Sequence, residues 1–220
     1  MNIVEAFAKV YKDTLSYSCN HKNGNRSSKR TDILNEAAAT LIKGHLPTPD
    51  AWDYEFEQKI PCTRARSSNP TKGFSIDVIF THRGTGRKIY ILLKSIEASY
   101  NKNSANFTNT MIGEVQRIYG TGEVHGANLK NERRNDITLF LTLMANRLPR
   151  SNKCEEVKYM PLSVEDLRIF NKNVHQVCVM FQHKGKAPSS KKGLLGGING
   201  ELMDGEKTLR DYKEFLKSAA

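Results

Sequence analysis

The stretch from Phe74 to Ser95 constrains the fold most. It holds two runs rich in β-forming residues, FSIDVIF (Phe74–Phe80) and KIYILLKS (Lys88–Ser95), separated by THRGTGR. The glycines of the spacer predict a hairpin turn, and the flanking Ile, Val, Tyr and Phe predict strands. Strand side chains alternate between two faces. Phe74, Ile76, Val78 and Phe80 are therefore expected on one face, with Asp77 on the other. On the second strand Tyr90, Leu92 and Lys94 share a face. A hairpin of this kind brings Asp77 and Lys94 together.

A hairpin needs neighbours to bury it. Ile137–Met144 (ITLFLTLM) predicts a buried strand, Val174–Phe181 another, and the alternating DYEFEQKIP (residues 53–61) a third. An amphipathic helix is expected over Met1–Tyr11, and a second from an Asp32 N-cap to Ile42, its apolar stripe being Ile33, Leu34, Ala37, Ala38, Leu41 and Ile42. Gly44, Pro47 and Pro49 end it. A third helix is expected from about Thr110 to Tyr119, a short one opening at Ser163 with Asp166 three residues on, and a last one over Glu206–Lys217. NHKNGNRSSKRT (20–31), SSNPTKG, the Asn-rich SYNKNSANFTNT and the basic, Gly-rich 183–200 read as loops or turns. This order predicts an α/β fold, a central mixed sheet flanked by helices. A length of 220 residues suits one domain, with a core at about 31–145 and additions for DNA binding or dimerisation at 150–220.

Lys and Arg number 34 against 23 Asp and Glu, a net charge of +11. That excess favours a polyanionic partner. The basic residues gather in three places: Lys22, Arg26, Lys29 and Arg30; Arg64 and Arg66; and Lys184, Lys186, Lys191 and Lys192. Such clusters hold phosphates. Asn101, Lys102, Asn103, Asn106 and Asn109 carry groups that read base edges, although asparagines also serve turns. No apolar run approaches the roughly 18 residues of a membrane span, and the N-terminus does not have a signal-peptide pattern, so a cytoplasmic location is expected. Cys19, Cys62, Cys154 and Cys178 are scattered without a CxxC pair, a pattern that fits neither structural zinc nor a disulfide framework.

A carboxylate beside a lysine at strand ends suits metal-assisted phosphodiester hydrolysis: hard oxygens hold Mg²⁺, and a cation neutralises developing charge. The whole run FSIDVIF-THRGTGR-KIYILLKS-IEASYNKNSANFTNTMIGEVQRIYG resembles the catalytic core of PD-(D/E)XK nucleases, most of all the type II restriction endonucleases. The resemblance covers about residues 31–145. It implies sequence-specific cleavage of double-stranded DNA with Mg²⁺, for which Mn²⁺ substitutes, by a homodimer whose two-fold mirrors a palindromic site. It makes Asp77 the first acid and a metal ligand, Lys94 the family lysine, and Glu36 the acid of the first helix. The second acid belongs two residues before the lysine, where this chain has Leu92.

Three accounts of Leu92 stand open. Glu114, on the following helix, supplies the missing carboxylate and becomes a metal ligand; Leu92 is a replacement that disables cutting; or the chain is an inactive relative. Under the last two, cutting is slow or absent. Glu97 is nearer Lys94, but its parity assigns it to the wrong face. A structure-selective nuclease acting on junctions or in repair, and a DNA-binding protein without catalysis, are the alternative functions.

Overall fold

The computed structural model describes residues 2–21, 27–60, 74–120, 123–124, 127–128, 132–151, 153–157, 167–168 and 171–220; of 101–107, 123–124 and 127–128 it describes the backbone alone. Among them are five α-helices: α1 (Ile3–Asn20), α2 (Ser28–His45), α3 (Tyr100–Tyr119), α4 (Lys191–Gly197) and α5 (Gly205–Ser218). The strands are β1 (Trp52–Ile60), β2 (Phe74–His82), β3 (Lys88–Ser95), β4 (Glu123–Val124), β5 (Ala127–Asn128), β6 (Ile137–Ala145), β7 (Arg147–Arg150), β8 (Lys153–Glu156), β9 (Val174–His183) and β10 (Ile198–Leu202). Six strands form one sheet in the order β1-β2-β3-β6-β9-β10; β4–β5 and β7–β8 are separate two-stranded ribbons. β3, β6 and β9 run parallel, whereas β1–β2, β2–β3 and β9–β10 pair antiparallel. The fold is mixed α/β, and the segment past residue 150 contributes β9 and β10 to the same sheet.

Both faces of the sheet are covered. Ile89, Ile91 and Leu93 of β3 join Val78 and Phe80 in a core shared with α1, α2 and α5 through Phe7, Tyr11, Leu34, Ala38, Ile42, Tyr212 and Phe215. The alternate residues Tyr90 and Leu92 join Ile79 in a second core built on Met111, Val115, Ile118 and Tyr119 of α3. β6 is buried along its whole length, which explains its unbroken apolar run.

Several local expectations need correction. α1 begins at an Asn2–Glu5 capping box but runs past Tyr11 to Asn20, because Thr14 and Leu15 are also buried. α2 starts at Ser28 with Ser27 as N-cap, so Asp32 lies inside the helix. The Asn-rich stretch expected as a loop is helix from Tyr100 onward. Each Asn costs a helix only about half a kcal/mol, and burial of the Tyr100 side chain and of the stripe from Met111 to Tyr119 outweighs that. The 183–200 segment is not all loop, since it forms α4 and the start of β10. The opening of the helix expected at Ser163 lies outside the described residues.

α4 is seated by a tight contact. The His183 ring nitrogen Nε2 meets the Gly193 carbonyl at 3.0 Å, and a Cβ on Gly197 would stand 2.0 Å from the same nitrogen. Gly197→Ala should therefore displace the ring and lower stability by about 1–3 kcal/mol, read as a drop in the urea midpoint. An unchanged midpoint removes this contact from what fixes α4.

Candidate active site

The site forms where the sheet forks. β2 pairs with β3 from Thr81–Lys88 to Val78–Ile91 and no further. Beyond that point Asp77 replaces the ladder: the Leu93 backbone N–H donates to Asp77 Oδ2 at 2.6 Å. Opposite the fork, Glu57 of β1 has a left-handed backbone (φ 49°) between the pairs Phe56–Val78 and Gln58–Ile76. The alternation expected along β2 breaks here. Val78 and Phe80 pack with α1 and α2, but Ile76 and Phe74 pack on the α3 side.

Lys94 follows Leu92 on the α3 face, near the end of β3. α3 crosses that face, and its apolar stripe of Met111, Val115 and Ile118 carries Glu114 in with it. Glu114 is only 7% exposed. Its Oε1 lies 3.9 Å from Lys94 Nζ, too long for a hydrogen bond, and its buried Oε2 has no hydrogen-bonding partner among the described residues.

The electrostatics tie the three side chains together. Burial pushes the Asp77 carboxyl above the usual range, against the Leu93 N–H and the Lys94 charge, which favour ionisation; the Glu57 charge raises it further. Burial likewise raises Glu114, with Lys94 opposing and the Asp77 charge adding to the rise. The two acids thus repel each other across one lysine, and a cation between them would relieve both.

The donor set fits a hard divalent ion. Mg²⁺ is commonly bound by one or two carboxylates together with waters and substrate phosphate oxygens, and Glu114 Oε2 is a buried carboxylate oxygen with no partner among the described residues. Among the described residues no group of three or more His, Cys, Asp and Glu side chains gathers at metal-binding spacing.

The other expected residues divide. Leu92 is 3% exposed inside the α3-side core, next in sequence to the Leu93 N–H that Asp77 accepts. Glu36 is exposed and lines a groove between α1 and α2, on the opposite side of the sheet, so it is not brought to the site. Arg30 and Lys191 are not free cations for phosphate, because both pair with Glu97, at 2.8 and 2.5 Å. Lys29, Lys184, Lys186 and Lys192 are exposed, with Lys184 paired to Glu201. Asn101, Lys102, Asn103 and Asn106 are helical in α3, and their side chains lie outside the described residues, as do Lys22, Arg26, Arg64 and Arg66 entirely. Cys19, Cys154 and Cys178 are free thiols.

Glu57 was not anticipated. Its signal was present in DYEFEQK, whose acids alternate along a strand, but that its charge reaches Asp77 depends on the register of β1 with β2. Glu97 lies past the end of β3, so strand parity does not reach it, and its carboxylate is taken by Arg30, Ser18 and Lys191.

Comparison with protein-family models, with curated proteins and with solved structures finds no match to this chain. Among the described residues no helix is long and apolar enough to cross a membrane.

Proposed function

We propose that this chain is a divalent-metal-dependent endonuclease acting on double-stranded DNA, built on a restriction-endonuclease-like fold and working in the cytoplasm as a homodimer. The observation that carries this reading is Glu114: a carboxylate on the following helix, buried beside Lys94 and within the field of Asp77, where the acid missing at Leu92 is needed. Asp77 and Glu114 would hold the metal. Mg²⁺ bound there supplies charge neutralisation at the phosphate and a more acidic water. Lys94 donates to the attacking water or to a non-bridging phosphate oxygen, and its charge offsets what develops in the transition state. The Leu93 N–H fixes the orientation of the Asp77 carboxylate.

The net charge of +11 and the exposed Lys29, Lys186 and Lys192 support a DNA partner. With about four phosphate contacts, affinity should fall roughly 10²-fold between about 50 and 200 mM salt. A flat response removes phosphate contacts from the reading.

Supercoiled plasmid incubated with Mg²⁺ should yield discrete bands, and Asp77→Asn should abolish both cutting and calorimetric Mn²⁺ binding while DNA binding persists. Unchanged Mn²⁺ affinity in that variant takes Asp77 out of the ligand set. Preference for branched over linear DNA would instead favour a structure-selective nuclease. One observation favours a second reading, DNA binding without catalysis: an apolar Leu92 packed into the core at the expected acid position. Tight binding without cutting under any divalent metal selects it.

A further inference from the structure

The bridge between β3 and α3 is held at more points than four residues of connection require. The Ile96 N–H donates to the Leu143 carbonyl at 2.9 Å, and the Tyr11 hydroxyl donates to the Ile96 carbonyl at 2.8 Å. Arg30 Nη2 donates to the Ser95 carbonyl at 2.9 Å. Glu97, only 5% exposed, is the centre of the group. Its Oε1 accepts from Arg30 Nε at 2.8 Å and from Ser18 Oγ at 3.1 Å, and its Oε2 accepts from Lys191 Nζ at 2.5 Å. One carboxylate thus ties the last turn of α1, the first turn of α2 and the first residue of α4 to the chain three residues beyond Lys94.

We propose that Glu97 is a positioning residue for the Asp77–Lys94–Glu114 site: it sets where α3 departs from β3, and so the placement of Glu114 against Lys94. This rests on the function proposed above. The N-cap of α3, Ser99, has a left-handed backbone (φ 53°), so the chain turns just before the helix begins. Its apolar stripe holds α3 against the sheet, but apolar contact is non-directional and tolerates sliding. Hydrogen-bonded ion pairs are directional, and specifying register is the best-attested use of buried ones. Glu114 lies about 21 Å along the helix from Tyr100 at roughly 1.5 Å per residue. A tilt of about 5° at the bridge would move it by about 2 Å over that length, and misplacement by about 1 Å is enough to cost catalysis on the order of 10²-fold.

The test compares the parent chain with Glu97→Gln, Ser18→Ala and Arg30→Lys. Mn²⁺ affinity is measured by calorimetry, and amide hydrogen exchange is followed along α3, with α5 as internal control. Glu97→Gln is expected to weaken Mn²⁺ binding at least about tenfold and to speed exchange in the first turns of α3 while α5 is unchanged; Ser18→Ala should show the same in smaller measure. A folded Glu97→Gln protein with parental Mn²⁺ affinity and parental exchange in α3 overturns the proposal. If Glu97→Gln does not fold, Ser18→Ala and Arg30→Lys decide: parental behaviour in both overturns it, and a shift in α3 exchange with weaker Mn²⁺ binding upholds it. A parent chain that binds no Mn²⁺ overturns the function proposed above instead, and the exchange comparison alone then decides on Glu97.

Discussion

Glu114→Gln should lower Mg²⁺-dependent plasmid cleavage by about 10²–10³-fold, the usual loss when one group that stabilises the transition state is removed. The same substitution should raise the thermal midpoint of the metal-free protein at pH 8. The loss of cleavage follows from the missing ligand, and the gain in midpoint from the burial and neighbouring Asp77 charge that push the Glu114 carboxyl above its ordinary range in the folded chain. The unfolded carboxyl gives up its proton at lower pH than the folded one. As pH rises from the unfolded value through the folded value, the folded state loses stability, and above both the loss is complete. A neutral amide escapes that loss but cannot serve as an ionised ligand. For the same reason Mn²⁺ affinity in the parent should fall with decreasing pH sooner than an unperturbed carboxylate would require. Full cleavage by Glu114→Gln, together with an unchanged midpoint, sinks the assignment of Glu114 as the second acid.

Leu92→Glu should gain nothing in cleavage and should destabilise the fold by about 3–5 kcal/mol, the scale of an uncompensated buried charge. Leu92 sits in the core with Met111, Val115 and Phe140, beside two acids that already share Lys94. A third carboxylate there would meet like charges and apolar walls. The opposite result is equally readable. If the parent chain is inert and Leu92→Glu cuts orders of magnitude faster, Leu92 is a disabling replacement and the chain as it stands is a DNA binder. Parent, Leu92→Glu and Glu114→Gln, assayed side by side on one plasmid, separate the two accounts.

Strand-forming residues and alternation were enough to place β2, β3, β6 and β9 within two residues at each end, and to put Lys94 on the face that α3 covers. Periodicity also carried Glu114 to the flank of an apolar stripe. Tertiary effects were not legible. The Asn-rich start of α3 looks like a loop because Asn is a weak helix former, and only burial of Tyr100 and the held bridge before it show why it is helical. Arg30 and Lys191 look like phosphate contacts until a buried acid 67 and 94 residues away claims them. Glu36 has the spacing of an exposed helix residue, and its position over the groove between α1 and α2 agrees with that.

The parallel pairing of β3 with β6, and of β6 with β9, has a consequence for how the protein comes into being. Lys94 stands opposite Thr142, and Thr142 opposite Cys178, so neither pairing closes until a long stretch of chain has been made. The hairpin that brings Asp77 to Lys94 is local and should form early. The core that encloses Glu114 also includes Phe140 and Val174. During synthesis from the N-terminus, the acid pair is therefore expected to assemble only after β9 has emerged, and a partly made chain would carry Asp77 and Lys94 without the enclosed Glu114.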